Sequence, residues 1–189
     1  MTIAIKYALY YNNSNTSDGG IFMKQTHLKN LTLTAIFSVL TFCATFIIRI
    51  PSFGGYLNFG DCMVLVSGYI LGPYWGSVSA GIGSALADVF SGYTIYALPT
   101  LIIKAFVAFS AGFLFKLSKK KNILHIVICG IIGEIIMLLG YFIFEAYFLG
   151  LGVQVALMSA YSGTLQALAG VSSSTLLLQA FKDRKKGGV

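Results

Sequence analysis

The chain has 189 residues, of which 57% are hydrophobic and only 10% charged, with a mean hydropathy of +0.81. A soluble domain is about 45–50% apolar and about 25% charged, so this composition cannot cover a water-soluble globule and points to lipid as the solvent. The net charge of +7 does not indicate nucleic acid. Lys24 and Lys29, then Lys116, Lys119, Lys120 and Lys121, then Lys182, Arg184, Lys185 and Lys186 all fall in short segments flanking apolar runs, the pattern of cytoplasmic membrane loops.

Residues 1–22 differ from the rest. Their YYNNSNTSDGG stretch is polar and turn-rich, and they are expected to form a disordered extension or to follow from an upstream start, with Met23 as a natural beginning. The expected domain is residues 23–189, a membrane-embedded unit. A first span is predicted from about Leu31 to Ile48, ended by Arg49, Pro51, Gly54 and Gly55. RIPSFGGYLNFGD then reads as a loop. A short apolar run from Asp61 to Leu71 stops at Gly72-Pro73, and a third span covers about Tyr74 to Phe90. The fourth runs from about Ala97 to Leu117, the fifth from Ile123 to Phe148, and the sixth from Val153 to Phe181. The fold class is therefore all-α: a polytopic membrane protein with six transmembrane helices in one compact bundle. With six spans both termini and the Lys116–Lys121 loop share one side, which charge assigns to the cytoplasm at the cell membrane.

The third span places Gly76, Ala80, Gly83 and Ala87 on one nearly bare face. Such a face lets helices approach closely in lipid, within this chain or against a partner subunit. Ionisable residues inside apolar runs carry more information, because each costs a few kcal/mol or more near the bilayer centre unless paired or solvated. Asp88 near the outer end of the third span and Lys104 about two turns into the fourth are expected at similar depth, as a structural ion pair or as a ligand clamp. Glu134 lies near mid-membrane and suits a substrate ligand or a proton relay, whereas Glu145 lies near the outer end of its span. Tyr93, Tyr96, Tyr141, Tyr147 and Tyr161 fit an aromatic belt, with stacking on a flat ring as the sharper reading, foremost for Tyr96. Asn58, Asp61, Asp88, Tyr96, Thr100, Lys104 and Glu145 together suggest a polar pocket opening outward beneath the Gly-rich loop.

Other chemistries find little support. No Walker-type phosphate loop is present, so the chain is not expected to hydrolyse ATP by itself. Cys43, Cys62 and Cys129 are widely spaced, and His27 and His125 sit beside basic helix ends, so no metal site or other cofactor is expected. Ser84 in GIGSA lacks a histidine deep in a span, which leaves no catalytic residues to name and no enzyme to expect.

The stretch LNFGDCMVLVSGYILGPYWGSVSAGIGSALADVFSGYTIYALPTLIIKAFVAFSAG resembles the core of substrate-binding S components of energy-coupling factor (ECF) transporters. The ordered elements are LNFGD, the LGPxxG turn, ALAD ending at Asp88, GYxxYA, and TxIIK ending at Lys104. The resemblance covers about Leu31 to Leu178. It implies a small six-helix protein that captures a vitamin or vitamin precursor from outside, with a transmembrane coupling subunit and two ATPase subunits as partners. It also implies that the loop after the first helix caps the site, and that ligands are riboflavin-, pyridoxine- or hydroxymethylpyrimidine-like. Substrate contacts are then expected from Asn58, Asp61, Asp88, Tyr96, Thr100, Lys104, Glu134, Tyr141 and Glu145. Many S components dock through two alanines four apart in the first helix. Here Ala35 is followed by Val39, so docking is expected through Ala35 with the small pair Thr34 and Ser38. The competing reading is a proton-coupled secondary carrier using Glu134 and Asp88, although the two halves show no convincing repeat.

Overall fold

The computed structural model describes residues 19–47, 49–52, 55–118 and 122–186. Six helices and one hairpin follow in chain order. They are α1 (Gly19–Ile47), β1 (Arg49–Ser52), β2 (Gly55–Asn58), α2 (Gly60–Leu71), α3 (Pro73–Phe90), α4 (Thr94–Leu117), α5 (Ile123–Ile143) and α6 (Val153–Lys186). The expected all-α bundle is present. Three stretches are long and apolar enough to cross a membrane by length and composition: Gln25–Ile47, Thr94–Leu117 and Ile123–Phe148.

The ends of the elements follow local chemistry. Gly72, at φ +83 and ψ 179, separates α2 from α3, a backbone conformation open essentially only to glycine, and Pro73 then starts α3 at a position suited to its fixed φ. The α3 terminus is closed by Tyr93 N–H donating to Asp88 O at 2.9 Å, with Gly92 at φ +84. Beyond Ile143 the fifth helix widens into a π-helical turn, Phe144–Phe148, in which Leu149 N–H reaches back to Phe144 O at 2.9 Å.

Two features differ from expectation at the start of the chain. The first helix begins at Gly19, three turns before the predicted span, so the last four residues of the expected extension are helical. Residues 1–18 lie outside the described residues. The segment expected as a loop instead pairs as an antiparallel hairpin, with Arg49 opposite Asn58 and Ser52 opposite Gly55.

The hairpin explains the short second helix. α2 has 12 residues, about 18 Å at 1.5 Å per residue. Asp61 in its first turn pairs with Lys104, which lies ten residues, about 15 Å, into α4. α2 thus starts at mid-depth, and its C-terminal end meets the Lys116 side chain at Gly72. A helix that is apolar on all sides belongs in an interior. Val64, Leu65 and Val66 are at most 1% exposed, with α1, α3, α4 and α6 packed around them.

Three glycines bring three backbones together. A Cβ at Gly76 of α3 would stand 2.7 Å from both Gly68 Cα and Ser67 O of α2, and one at Gly112 of α4 would stand 2.5 Å from Gly68 O. Elsewhere on α3, Gly83 lies against the α1 backbone at Ser38 and 2.8 Å from Thr41 Cβ by the same measure. The small-residue face is therefore used inside the chain, where close approach substitutes for the missing hydrophobic drive between helices in lipid. Large apolar side chains such as Ile36, Leu86, Phe106, Ile135, Leu168 and Leu176 point outward, while Thr41, Ser67, Ser79 and Asp61 are fully enclosed.

Candidate functional site

The first turn of α2 carries the centre of the site. Asp61 and Lys104 form an ion pair, their side chains 1% and 4% exposed. The Lys104 ammonium also donates to Met137 Sδ at 2.9 Å and stands 5.8 Å from the centre of the Tyr141 ring. The other carboxylate oxygen of Asp61 accepts from Gln166 Nε2 of α6 at 2.5 Å. Gln166 Oε1 in turn accepts the Asn58 N–H at 3.0 Å, and Asn58 Oδ1 accepts the Gly60 N–H at 2.8 Å. Five elements thus meet in one polar layer: β2, α2, α4, α5 and α6.

This layer corrects one expectation. Lys104 is paired with Asp61 and not with Asp88. The reason is depth: α4 begins at Thr94, which sets Lys104 nearly three turns inside, whereas Asp88 sits two residues from the end of α3. Asp88 is buried at that end of α3. Gln166 and Met137 were absent from the sequence-based set.

The other expected residues lie above or beside this layer. One turn of α4 outward from Lys104, Thr100 Oγ1 and Tyr141 Oη share a hydrogen bond at 2.9 Å. Further out, Tyr96 Oη donates to Glu145 Oε1 at 3.4 Å, and the Tyr96 ring meets Phe144 edge-on at 5.5 Å. Glu145 lies in the π-helical turn, a distortion that recurs at functional sites.

Glu134 is 2% exposed, and neither of its carboxyl oxygens has a hydrogen-bond partner among the described residues. It stands between the Asp61 layer and a groove of about 580 Å³ along the α5–α6 seam, lined also by Ile131, Leu138, Ala167, Val171 and Thr175. Gly170 makes the room there, since a Cβ at that position would lie 2.8 Å from Asp61 Cβ and 3.3 Å from Glu134 Oε1.

On α1, Thr34 is buried and its hydroxyl donates to Asn30 O, Ser38 is half-buried and donates to Thr34 O, and Ala35 is exposed. Among the described residues no group of three or more His, Cys, Asp or Glu side chains could hold a metal ion.

Residues 25–183 match the model of the family described as ECF-type riboflavin transporter, S component. A Pyrococcus woesei protein, described only as an uncharacterized protein in a gap 3' region, is 39% identical over 124 residues, 66% of this chain and 80% of that one. A solved structure, described as that of the S component of a bacterial ECF transporter, is similar with a TM-score of 0.70 at 22% identity, covering 85% of this chain and 99% of the other. At that identity the likeness is one of fold, and it agrees with the six-helix arrangement above. The chain belongs to the family of ECF-type riboflavin transporter S components, the membrane-embedded substrate-binding subunits of ECF transporters.

Proposed function

We propose that this chain captures riboflavin or a related flat heteroaromatic vitamin or precursor from the outer side of the cell membrane. It then delivers the ligand together with a transmembrane coupling subunit and two ATPase subunits. The observation that carries this reading is the enclosed polar layer at Asp61, Lys104 and Gln166, with Thr100, Tyr141, Tyr96 and Glu145 stepping outward from it. A flat ring needs a few convergent polar groups for its edge and aromatic faces for its plane. This column supplies both, with Asp88 and Asn58 at its margins. The ligand enters beneath the β1–β2 hairpin, both termini face the cytoplasm, and the face of α1 that exposes Ala35, flanked by Thr34 and Ser38, docks on the coupling subunit.

The test is mass spectrometry of small molecules that co-purify with the detergent-solubilised protein, followed by thermal stabilisation with riboflavin, pyridoxine and hydroxymethylpyrimidine. One vitamin-like compound near one per chain supports capture and names the ligand. A protein that is empty and unstabilised by all three compounds counts against it.

A second reading has its own observation. Glu134, with both oxygens unpartnered among the described residues, suits proton coupling in a secondary carrier, with Asp88 as the second acid. Uptake into liposomes by the isolated protein, driven by a pH gradient without ATPase subunits, would support this reading against the first.

A further inference from the structure

We propose that Gln166 is a positioning residue that couples the β1–β2 hairpin to the state of the Asp61–Lys104 pair, so that a ligand engaging either charge is felt at the hairpin. The proposal rests on the capture function above, but its geometry stands apart from any ligand.

The Gln166 amide is held at both ends. Its oxygen faces a donor, the Asn58 N–H at 3.0 Å, and its nitrogen faces an acceptor, Asp61 Oδ2 at 2.5 Å. Flipping the amide would set donor against donor and oxygen against carboxylate, so only one orientation satisfies it. Asn58 and Asp61 bracket a single tight turn, in which Asn58 Oδ1 accepts the Gly60 N–H at 2.8 Å. One side chain of α6 therefore clasps both the last residue of β2 and the first turn of α2. Gly60 makes the close turn possible, because a Cβ there would lie 2.7 Å from Asn58 Oδ1 and would overlap Thr45 Oγ1.

Asp61 has no spare oxygen in this arrangement. Lys104 takes Oδ1 and Gln166 takes Oδ2. A ligand donor that approaches Asp61 Oδ2 shares that oxygen with Gln166 and weakens its hold, and a ligand acceptor that claims Lys104 draws charge and position away from Asp61. In both cases the change reaches Asn58 through the Gln166 amide, alongside the short turn that joins the two residues. Lys104 lies on α4 and Asn58 on β2, so a change at Lys104 reaches the hairpin by way of Asp61, and from there by two links, the Gln166 amide and the short turn of chain between Asp61 and Asn58. The clasp is 9% exposed at Gln166, so water does not substitute freely for a lost partner.

The experiment is hydrogen exchange read by mass spectrometry on the ligand-free full chain in nanodiscs, following the peptide over Arg49–Asn58. Gln166→Met keeps the volume and removes both hydrogen bonds. It is expected to speed exchange of the hairpin about tenfold, the change expected from losing one hydrogen bond of ordinary worth, with α3 and α4 unchanged. The double variant Asp61→Leu with Lys104→Met is the decisive one, because it leaves Gln166 and Asn58 intact. Coupling predicts faster hairpin exchange there too, with no further gain when Gln166→Met is added, whereas additive effects mean the turn of chain alone carries the signal and overturn the proposal. Wild-type exchange in that variant, with fast exchange in Gln166→Met, makes Gln166 a local tie and overturns the proposal. Unchanged exchange in Gln166→Met overturns it outright. If the double variant does not fold, Asp61→Asn asks the same question at smaller amplitude. None of these readouts needs the vitamin, so failed ligand capture and a failed latch remain separate results.

Discussion

Removing Lys104 alone should be far more damaging than removing Lys104 and Asp61 together. Lys104→Met leaves the Asp61 carboxylate in a setting where the paired side chains are 1% and 4% exposed, with Gln166 as its one remaining donor among the described residues. Breaking a buried ion pair from one side costs about 3–5 kcal/mol. At ~2–4 °C per kcal/mol for a chain of this length, the unfolding midpoint should fall by roughly 6–20 °C. Asp61→Leu combined with Lys104→Met removes both charges and retains the volume, and replacing a buried pair by well-packed apolar groups is often neutral or stabilising. The double variant should recover to within about 1 kcal/mol of wild type, the residue being the loss at Gln166. The assay is the temperature at which the detergent-solubilised protein disappears from the monodisperse peak in size-exclusion chromatography. If the two single substitutions add in the double variant, the charges do not compensate each other and the pairing argument is wrong.

The remaining predictions concern neighbouring positions. Glu134→Leu should raise stability by about 1–3 kcal/mol, because it removes a buried carboxyl that has no hydrogen-bond partner among the described residues, while ligand capture measured by equilibrium dialysis falls. A drop in stability would show that Glu134 has a structural partner. Tyr141→Phe should cost about 0.5–1.5 kcal/mol through the lost bond to Thr100, and the same melting assay checks it. Gly72→Ala should cost about 1–3 kcal/mol because φ +83 with ψ 179 is barely open to a side chain, and an unchanged midpoint would count against that reasoning. Gly170→Ala should destabilise by about 1–3 kcal/mol by pressing Asp61 toward Glu134, which the ligand-free midpoint reads directly.

Much of the fold was legible because punctuation in this chain is strong. Gly72-Pro73, the turn at Gly92 and the Lys-rich segment before Asn122 fix the helix ends that the structure shows. The hairpin was not legible. RIPS and GYLN are four residues each, one contains proline, and neither alternates apolar and polar residues, so their pairing depends on what surrounds them. At the site, Asp61, Lys104, Glu134 and Glu145 stood out because charge is rare in apolar runs. Partner choice did not, since it depends on the depth of each helix and on a hairpin that starts α2 in mid-bundle. Gln166 gave no signal because the sixth helix is rich in Ser, Thr, Gln and Gly throughout, and one more neutral amide does not stand out. Met137 looked like ordinary apolar lining, and only the position of Lys104 reveals its sulfur as an acceptor.

The glycine contacts at Gly68, Gly76 and Gly112 have a mechanical meaning. Where backbone meets backbone, no layer of side chains remains to change rotamer and absorb a slide. α2, α3 and α4 are therefore bolted into a frame. α5 and α6 meet this frame through side-chain links such as Lys104–Met137 and Asp61–Gln166. A substrate held between Lys104 on the frame and Gln166 on α6 would therefore tie the sixth helix to that frame, as a bolt ties a door to a fixed jamb.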